Sequence, residues 1–161
     1  MFASIEHHGF EYSVNEDFAN IIESLTDIRI DAQHRYTISP SHSQNSVIVT
    51  YGGDGTLLDA LSLRPTPDTP IVGINCGRLG YLTADNGEGI EELFGRIAEQ
   101  KLNFEQRHML KVESSLSDIM PLALNEVTIH RHGATMISVE ALINGKTIST
   151  YHGDGLIVST P

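Results

Sequence analysis

The apolar positions of the first hundred residues alternate between two spacings. Short β-branched runs at residues 47–51 and 71–75 predict buried strands, and runs at residues 1–5 and 28–30 predict two shorter ones. A second set recurs every three or four residues, as on one face of a helix, and comprises Phe18, Ile21, Ile22, Leu25, Ile90, Leu93, Phe94 and Ile97. This alternation of strand, turn and helix predicts parallel βαβ units.

Polar residues mark where the predicted helices begin. Asn15 precedes the first helical set and suits an N-cap position, where its side chain accepts a backbone N–H. Thr56, followed by Asp59, predicts the start of a second helix over residues 57–63. A third helix is expected over residues 88–100, where acidic residues at the start suit the helix dipole.

After Leu102 the pattern changes and predicts strands alone. The predicted strands cover residues 104–113, 122–131, 136–143, 146–151 and 156–159. We therefore expect two domains, an α/β domain at residues 1–102 and an all-β domain at residues 103–161.

Asn144 and Gly145 separate two of these strands and are typical of a type I′ hairpin turn. Pairing outward from the turn places one apolar set on a single face, namely Ile137, Val139, Ala141, Ile143 and Ile148. The opposite face then carries Ser138, Glu140, Thr147 and Ser149. One face of the hairpin is expected to lie in a core and the other in water.

The composition narrows the class of partner and the compartment. A net charge of −11 argues against a nucleic-acid-binding protein, which normally has a basic surface. It does not argue against a nucleotide ligand, because backbone N–H groups and a divalent cation can bind phosphate. The single cysteine, Cys76, suits a reducing compartment, and we expect a small packed residue there rather than a reactive thiol. With no long apolar run and no signal peptide, the chain is expected to be soluble, cytoplasmic and without a membrane partner.

The candidate chemistry begins at residues 47–56, which read V-I-V-T-Y-G-G-D-G-T. Glycines at the end of a buried strand let the backbone approach a ligand, and free N–H groups before a helix form an anion site. A carboxylate placed there, here Asp54, suits a metal contact, a ribose hydroxyl or general-base catalysis. The simpler interpretation is a tight strand-to-helix turn, with Asp54 as a turn residue and Thr56 as N-cap.

Three further segments carry related signals. Residues 71–83 read I-V-G-I-N-C-G-R-L-G-Y-L-T, residues 124–129 read L-N-E-V-T-I, and residues 153–161 read G-D-G-L-I-V-S-T-P. In this order and spacing the four segments resemble the NAD kinase family, over most of the chain from Val47 to its end. Residues 1–46 carry little of the resemblance.

The resemblance implies an N-terminal Rossmann-like α/β domain followed by the first part of a β-sandwich. It implies an NAD kinase, which phosphorylates the 2′-hydroxyl of the NAD adenosine ribose to give NADP. The donor would be ATP or polyphosphate, with a divalent cation, Mg²⁺ by preference. Family members form dimers and tetramers and continue beyond the Ser-Thr-Pro that ends this chain, so we expect a truncated chain that forms homo-oligomers.

Two other functions remain open at this point. A lipid kinase of the diacylglycerol or sphingosine type also resembles the Gly-Gly-Asp-Gly-Thr turn. The pattern from Asn75 to Gly80 and the Asn-Glu pair that follows argue against it. A nucleotide-binding module without turnover would keep the same pocket and lack the activity.

The resemblance assigns roles to the residues of the first and third segments. Asp54 is expected to be catalytic, as the acceptor for the attacking 2′-hydroxyl, with Gly53 and Gly55 allowing close approach. Asn125 and Glu126 interrupt an apolar strand, where a buried polar pair needs hydrogen-bond partners. The resemblance implies that the amide reads an adenine edge and the carboxylate accepts from ribose hydroxyls, whereas a local hydrogen-bond network is the alternative.

The remaining candidate binding residues flank glycines and are Leu79, Gly80, Tyr81, His152 and Asp154. Tyr81 is expected to pack against a nucleobase, or else in the core. Asp154 is expected to contact a ribose or the nicotinamide end of NAD, with a plain turn as the alternative.

Neither a P-loop nor a metal-ligand set is evident in the sequence. The G-x-x-x-x-G-K-[ST] pattern is absent, so ATP would not be held in that manner. His7 with His8, and His130 with His132, have no cysteine or carboxylate that completes a recognisable set. No protein ligand for a metal is therefore assigned.

Overall fold

The computed structural model describes residues 1–37, 45–64, 66–77, 80–83, 89–116 and 121–161. By its internal contacts the chain divides into two compact units, Met1–Phe104 and Glu105–Pro161.

The first unit begins with a helix and a small parallel βαβ arrangement. Its elements are α1 (Phe2–His7), β1 (Val14–Asn15), α2 (Glu16–Leu25), a 3₁₀ turn (Ala32–His34) and β2 (Arg35–Tyr36). β1 and β2 pair in parallel, and Asn15 caps α2 as predicted, its Oδ1 accepting the N–H groups of Asp17 and Phe18 at 3.0 and 3.2 Å. The buried centre of this part consists of Val14, Ala19 and Ile30.

The predictions of two short strands in this part of the chain are wrong. Residues 2–5 belong to helix α1, with Met1 as its N-cap; the helix contacts a later helix and buries Ser4 and Ile5. Residues 28–30 form no strand, because the Ile30 N–H donates to the Glu23 carboxylate at 2.9 Å instead of to a neighbouring strand. This N–H and the Arg35 guanidinium together lower the pKa of Glu23.

The second half of this unit contains the two predicted buried strands. Its elements are β3 (Ile48–Gly52), α3 (Asp54–Asp59), a 3₁₀ turn (Ala60–Leu63), β4 (Ile71–Asn75) and α4 (Ile90–Ala98). β3 and β4 pair in parallel from Ile48 with Ile71 to Gly52 with Asn75, which confirms the parallel prediction. Both glycine turns therefore leave the same, carboxyl end of one ladder, where α/β proteins place their ligands.

Helix α3 begins earlier than predicted. Gly53, not Thr56, is the N-cap, and its carbonyl accepts the N–H of Thr56 at 3.1 Å. Asp54 is thus the first residue of the helix. Leu57 and Ala60 bury the inner face of this segment near the fully buried Ile74 of β4.

The second unit consists of strands among its described residues, as predicted. These are β5 (Met109–Lys111), β6 (Leu122–Leu124), β7 (Glu126–His130), β8 (Ile137–Ile143), β9 (Lys146–Gly153) and β10 (Gly155–Ser159). They form three antiparallel pairs, β5 with β6, β7 with β10, and β8 with β9. The strand predicted over residues 122–131 is interrupted at Asn125, whose φ of 69° is left-handed.

The β8–β9 hairpin turns at Asn144 and Gly145, with φ angles of 50° and 76°, as a type I′ turn requires. A register shift leaves Ile148 without a partner, because Ala141 pairs with Ser149 while Leu142 pairs with Thr147. Ile137, Val139 and Ala141 are half-buried as predicted. The prediction is wrong for Ile143 and Ile148, which are 63% and 55% exposed.

No described residue of the second unit is fully buried. Its large apolar side chains that remain exposed are Leu116, Leu122, Ile129, Met136, Leu142, Ile143, Ile148, Tyr151, Ile157 and Val158. Across the part of the chain that the structure describes, no helix is both long and apolar enough to cross a membrane.

Candidate functional site

The Asp54 carboxylate joins the two glycine turns of the first unit. Its Oδ2 accepts the N–H of Tyr81 at 2.8 Å, and its Oδ1 accepts the N–H groups of Leu82 and Thr83 at 3.1 and 3.2 Å. The Thr83 hydroxyl donates to the same Oδ1 at 3.2 Å. A helix that begins at residue 54 rather than 57 places the carboxylate within reach of all four donors.

These donors stabilise the ionised form of the carboxylate. The N–H of Tyr81 contributes most to lowering the pKa of Asp54 below its ordinary value of 3.8, followed by the groups of Leu82 and Thr83. Partial desolvation acts in the opposite direction but does not prevail. Asp54 is therefore an anion at neutral pH and a weak proton acceptor in this arrangement.

Thr83 connects Asp54 to the end of strand β4. The buried Asn75 donates from Nδ2 to the Thr83 hydroxyl at 3.0 Å, and its Oδ1 accepts the N–H of Gly77 at 2.8 Å. Both Asn75 and Thr83 are buried polar side chains. Both residues lie in the motif at residues 71–83, and neither was predicted to have a role of its own; a polar residue at each end of one glycine turn was the available signal.

The glycines around Asp54 differ in what surrounds them. A β-carbon on Gly80 would overlap the Asp54 carboxylate, so this position has no room for a side chain. A β-carbon on Gly53 or Gly55 would meet no atom within 4 Å. The protein's own packing therefore requires glycine at 80 but not at 53 or 55.

Tyr81 is 97% exposed, so the core-packing alternative for its ring is wrong. Leu79 lies outside the described residues. Cys76 is exposed, which contradicts the expected packed position, and its hydrogen bond with Tyr51 raises the pKa of that phenol.

In the second unit, Asn125 and Glu126 lie at one end of the β7–β10 ladder. The Asn125 carbonyl accepts the Thr160 N–H at 2.7 Å, and Glu126 pairs with Ser159. Both side chains are exposed, so the expectation of a buried pair is wrong. Neither side chain hydrogen-bonds to another described residue, which removes support for a local network. The backbone at Asn125 is left-handed, with a φ of 69°, and the strand is interrupted there.

Asp154 and His152 lie near the other end of that ladder. Asp154 is the single residue between β9 and β10, and its Oδ1 lies 2.7 Å from Nε of Arg131. His152 is exposed on β9, opposite Ser138. Since the ladder runs from Glu126 to His130, strand rise separates its two ends by about 13 Å.

The first unit is thus an α/β structure with a polar site where two parallel strands end in glycine turns. The family model described as the ATP-NAD kinase N-terminal domain matches residues 4–102. The chain belongs to the NAD kinase family.

Curated relatives agree with this assignment over nearly the whole chain. An NAD kinase of Flavobacterium psychrophilum is 34% identical, and the match covers 100% of this chain and 56% of the relative. An NAD kinase of Christiangramia forsetii is 32% identical over 98% of this chain and 55% of the relative. The chain therefore spans about half the length of the curated relatives it matches.

The crystal structure of yeast NADH kinase complexed with NADH has a similar fold. It superposes with a TM-score of 0.71 at 23% sequence identity, covering 98% of this chain and 51% of that one.

Proposed function

We propose that the protein acts as an NAD kinase, transferring a phosphoryl group from ATP or polyphosphate to the 2′-hydroxyl of the NAD adenosine ribose. The observation that carries the proposal is the Asp54 carboxylate, held between two glycine turns at the carboxyl end of a parallel ladder. Membership of the NAD kinase family supports the choice of nucleotide and reaction.

Asp54 would orient the attacking hydroxyl by accepting its hydrogen bond. A loose transition state for phosphoryl transfer needs positioning and charge stabilisation more than early proton removal. A carboxylate with a lowered pKa suits this role, because it stays ionised and takes the proton only late in the reaction. Gly53 and Gly55, whose surroundings are open, would leave room for the substrate.

The charge of the phosphates would be balanced by a divalent cation, Mg²⁺ by preference. Among the described residues, no group of three metal-ligating side chains includes Asp54. One carboxylate fits a Mg²⁺ that arrives with the nucleotide, because this ion usually takes one or two carboxylates together with phosphates and waters.

The second unit would contribute the contacts to NAD. The exposed amide of Asn125 and carboxylate of Glu126 would read adenine and ribose, and Asp154 with His152 would contact a more distant part of the dinucleotide. The distance between the two ends of the β7–β10 ladder supports this division. Leu79, Gly80 and the exposed ring of Tyr81 would approach a nucleobase.

The second candidate function is a nucleotide-binding module without turnover. It is favoured by the four donors that already occupy Asp54, since a carboxylate used for structure is less available to a substrate.

Formation of NADP, followed in a coupled assay, tests the proposal. Asp54→Asn should reduce turnover by about 10²-fold or more with a smaller loss of NAD affinity, because it removes an acceptor used in the reaction. Asp59→Asn, an exposed position on the same helix, is the matched control. NAD binding without any NADP would favour the binding module, and phosphorylation of diacylglycerol would favour a lipid kinase.

The same proposal includes four further features. These are domain limits at residues 102 and 103, a β-sandwich in the all-β part, assembly as a homodimer or homotetramer, and a cytoplasmic location. The exposed apolar residues of the second unit support an assembly, because apolar surface and unpaired strand edges tend to associate. Sedimentation at micromolar concentration tests it, and a stable monomer would contradict it.

A further inference from the structure

The end of helix α1 and the start of helix α4 bring two adjacent histidines close to a carboxylate that lies far from them in the sequence. His7 is the last residue of α1, His8 follows it, and Glu91 is in the first turn of α4. The ligand atoms of the three side chains lie within 4.8 Å of one another. Glu91 is the carboxylate that the sequence alone did not connect with the two histidines.

The geometry of the three residues is close to that of a metal site. His8 Nε2 lies 3.3 Å from Glu91 Oε1, and the two imidazole rings have centroids 4.9 Å apart. Donor atoms in a tetrahedral zinc site lie about 3.3 Å from one another, as bond lengths of about 2.0–2.1 Å dictate. The other pairs of ligand atoms lie within 4.8 Å, and rotations of the exposed His7 and of Glu91, whose side chain is 63% exposed, would be needed to close the remaining difference.

The cluster also contains a nitrogen that is shielded from solvent. His8 Nε2 is shielded from solvent and faces Glu91 Oε1 at 3.3 Å, and the Glu91 carboxylate also accepts a hydrogen bond from the Ser4 side chain. The ring of His8 is held against Gly95 of α4, where a β-carbon would lie 3.9 Å from its Nε2 and Cε1. The imidazole of His8 and the carboxylate of Glu91 are thus already held side by side, as two ligands of one metal ion would be.

We propose that His7, His8 and Glu91 bind a divalent transition metal ion of the zinc class, which joins helix α1 to helix α4. Two imidazoles and one carboxylate suit Zn²⁺, Co²⁺ or Ni²⁺ and leave a coordination position for water. Mg²⁺ prefers an all-oxygen set and would not compete. The site shares no residue with the proposed nucleotide contacts, so it is independent of the proposed reaction.

Calorimetric titration of the whole chain with Zn²⁺, and with Co²⁺ followed by visible absorption, tests the site. One ion should bind per chain, and thermal unfolding should shift upward by about 5 °C or more at saturating metal, because the metal binds the folded state. His8→Gln and Glu91→Gln should each lower the affinity by at least about 100-fold, more than the loss of an outer-shell partner costs.

The matched control is the double variant His130→Gln with His132→Gln, which removes two exposed histidines that belong to no such three-residue group among the described residues. It should bind Zn²⁺ as the unaltered chain does. Circular dichroism in the presence of a chelator shows whether each variant is folded, and Glu91→Gln alters an exposed side chain without changing its size. Unchanged affinity in folded Glu91→Gln, or no Zn²⁺ signal above that of Mg²⁺ in the unaltered chain, would overturn the proposal.

Discussion

The Asp54 carboxylate occupies the space that a β-carbon on Gly80 would need. The carboxylate lies there because it accepts the N–H of Tyr81, the residue after Gly80, at 2.8 Å. A side chain at 80 and the hydrogen bonds of Asp54 therefore exclude each other. Because Gly80 has no side chain, the second glycine turn leaves room for Asp54, which is the only acidic residue of the first glycine turn.

Gly80→Ala should displace the Asp54 side chain and break its bonds to residues 81–83. We expect the melting temperature to fall by about 5 °C, as for moderate overpacking of a small domain. Gly77→Ala is the control, since a β-carbon at 77 meets no atom within 4 Å. Equal melting temperatures for the two variants in differential scanning calorimetry would contradict this relationship.

The stability of the first unit should depend on pH through Asp54. The folded-state pKa of this carboxyl is lowered below 3.8, so its contribution is present above that pH and is lost as the pH falls through the lowered value. Asp54→Asn lacks this contribution. The melting temperatures of the two proteins should differ most near neutral pH and converge below pH 3.8.

The control for this pH series is Asp59→Asn, which leaves the bonds of Asp54 intact. Its melting temperature should follow that of the unaltered chain at every pH. A constant difference between Asp54→Asn and the unaltered chain across the acid range would show that ionisation of Asp54 does not stabilise the fold.

Two substitutions of the buried Thr83 distinguish the stability that its hydroxyl hydrogen bonds contribute from the stability that its methyl group contributes. Thr83→Val keeps the shape but removes the donor to Asp54 and the acceptor for Asn75, at a cost of about 1–3 kcal/mol in unfolding free energy. Thr83→Ser retains both bonds and should cost less. Urea unfolding measures both, and a larger loss in the serine variant would mean that the methyl group, not the hydroxyl, matters.

The register shift in the β8–β9 hairpin predicts unequal effects for two residues that the sequence placed on one face. Ile148→Lys should change stability by no more than about 0.5 kcal/mol, because the side chain is already exposed. Val139→Lys puts a charge on the half-buried face and should cost about 1–3 kcal/mol. Similar losses in chemical unfolding would support the register without the bulge.

The left-handed backbone at Asn125 allows its structural and binding roles to be tested separately. Asn125→Gly tolerates the φ of 69° and removes only the side chain, whereas Asn125→Ala adds strain of roughly 1–2 kcal/mol. If the amide binds NAD, both variants should lose affinity by about 1–3 kcal/mol while only alanine lowers stability. Full NAD affinity in a stable Asn125→Gly would remove the amide from the site.

Sequence patterns predicted the elements whose signals are local. The cap at Asn15, the parallel β3–β4 pair and the turn at Asn144 and Gly145 follow from composition and spacing, and each is present. At residues 28–30 the error arose because a side chain replaced a backbone partner. The Glu23 carboxylate takes the N–H of Ile30 that a strand would have used.

The candidate site was predictable only in part for the same reason. Its glycines and Asp54 form a recognisable pattern, but the donors that bind Asp54 come from residues 81–83, which no local signal connects with it. Likewise, an apolar strand pattern gave no indication that the backbone turns at Asn125. Burial of that pair was inferred from its neighbours in sequence, whereas both side chains are exposed.

The hydrogen bonds that link Gly77, Asn75, Thr83 and Asp54 allow only one assignment of donors and acceptors. The Gly77 N–H can only donate, so Asn75 must face it with oxygen and present its NH₂ group to Thr83. The Thr83 hydroxyl, having accepted that bond, uses its single hydrogen for the Asp54 carboxylate. The Gly77 N–H, just after strand β4, thus determines how each hydrogen-bonding group is oriented, as far as the Asp54 carboxylate at the start of helix α3. Any ligand that draws Asp54 away would leave that hydroxyl hydrogen pointing at the vacated position, as a ready donor to an incoming oxygen.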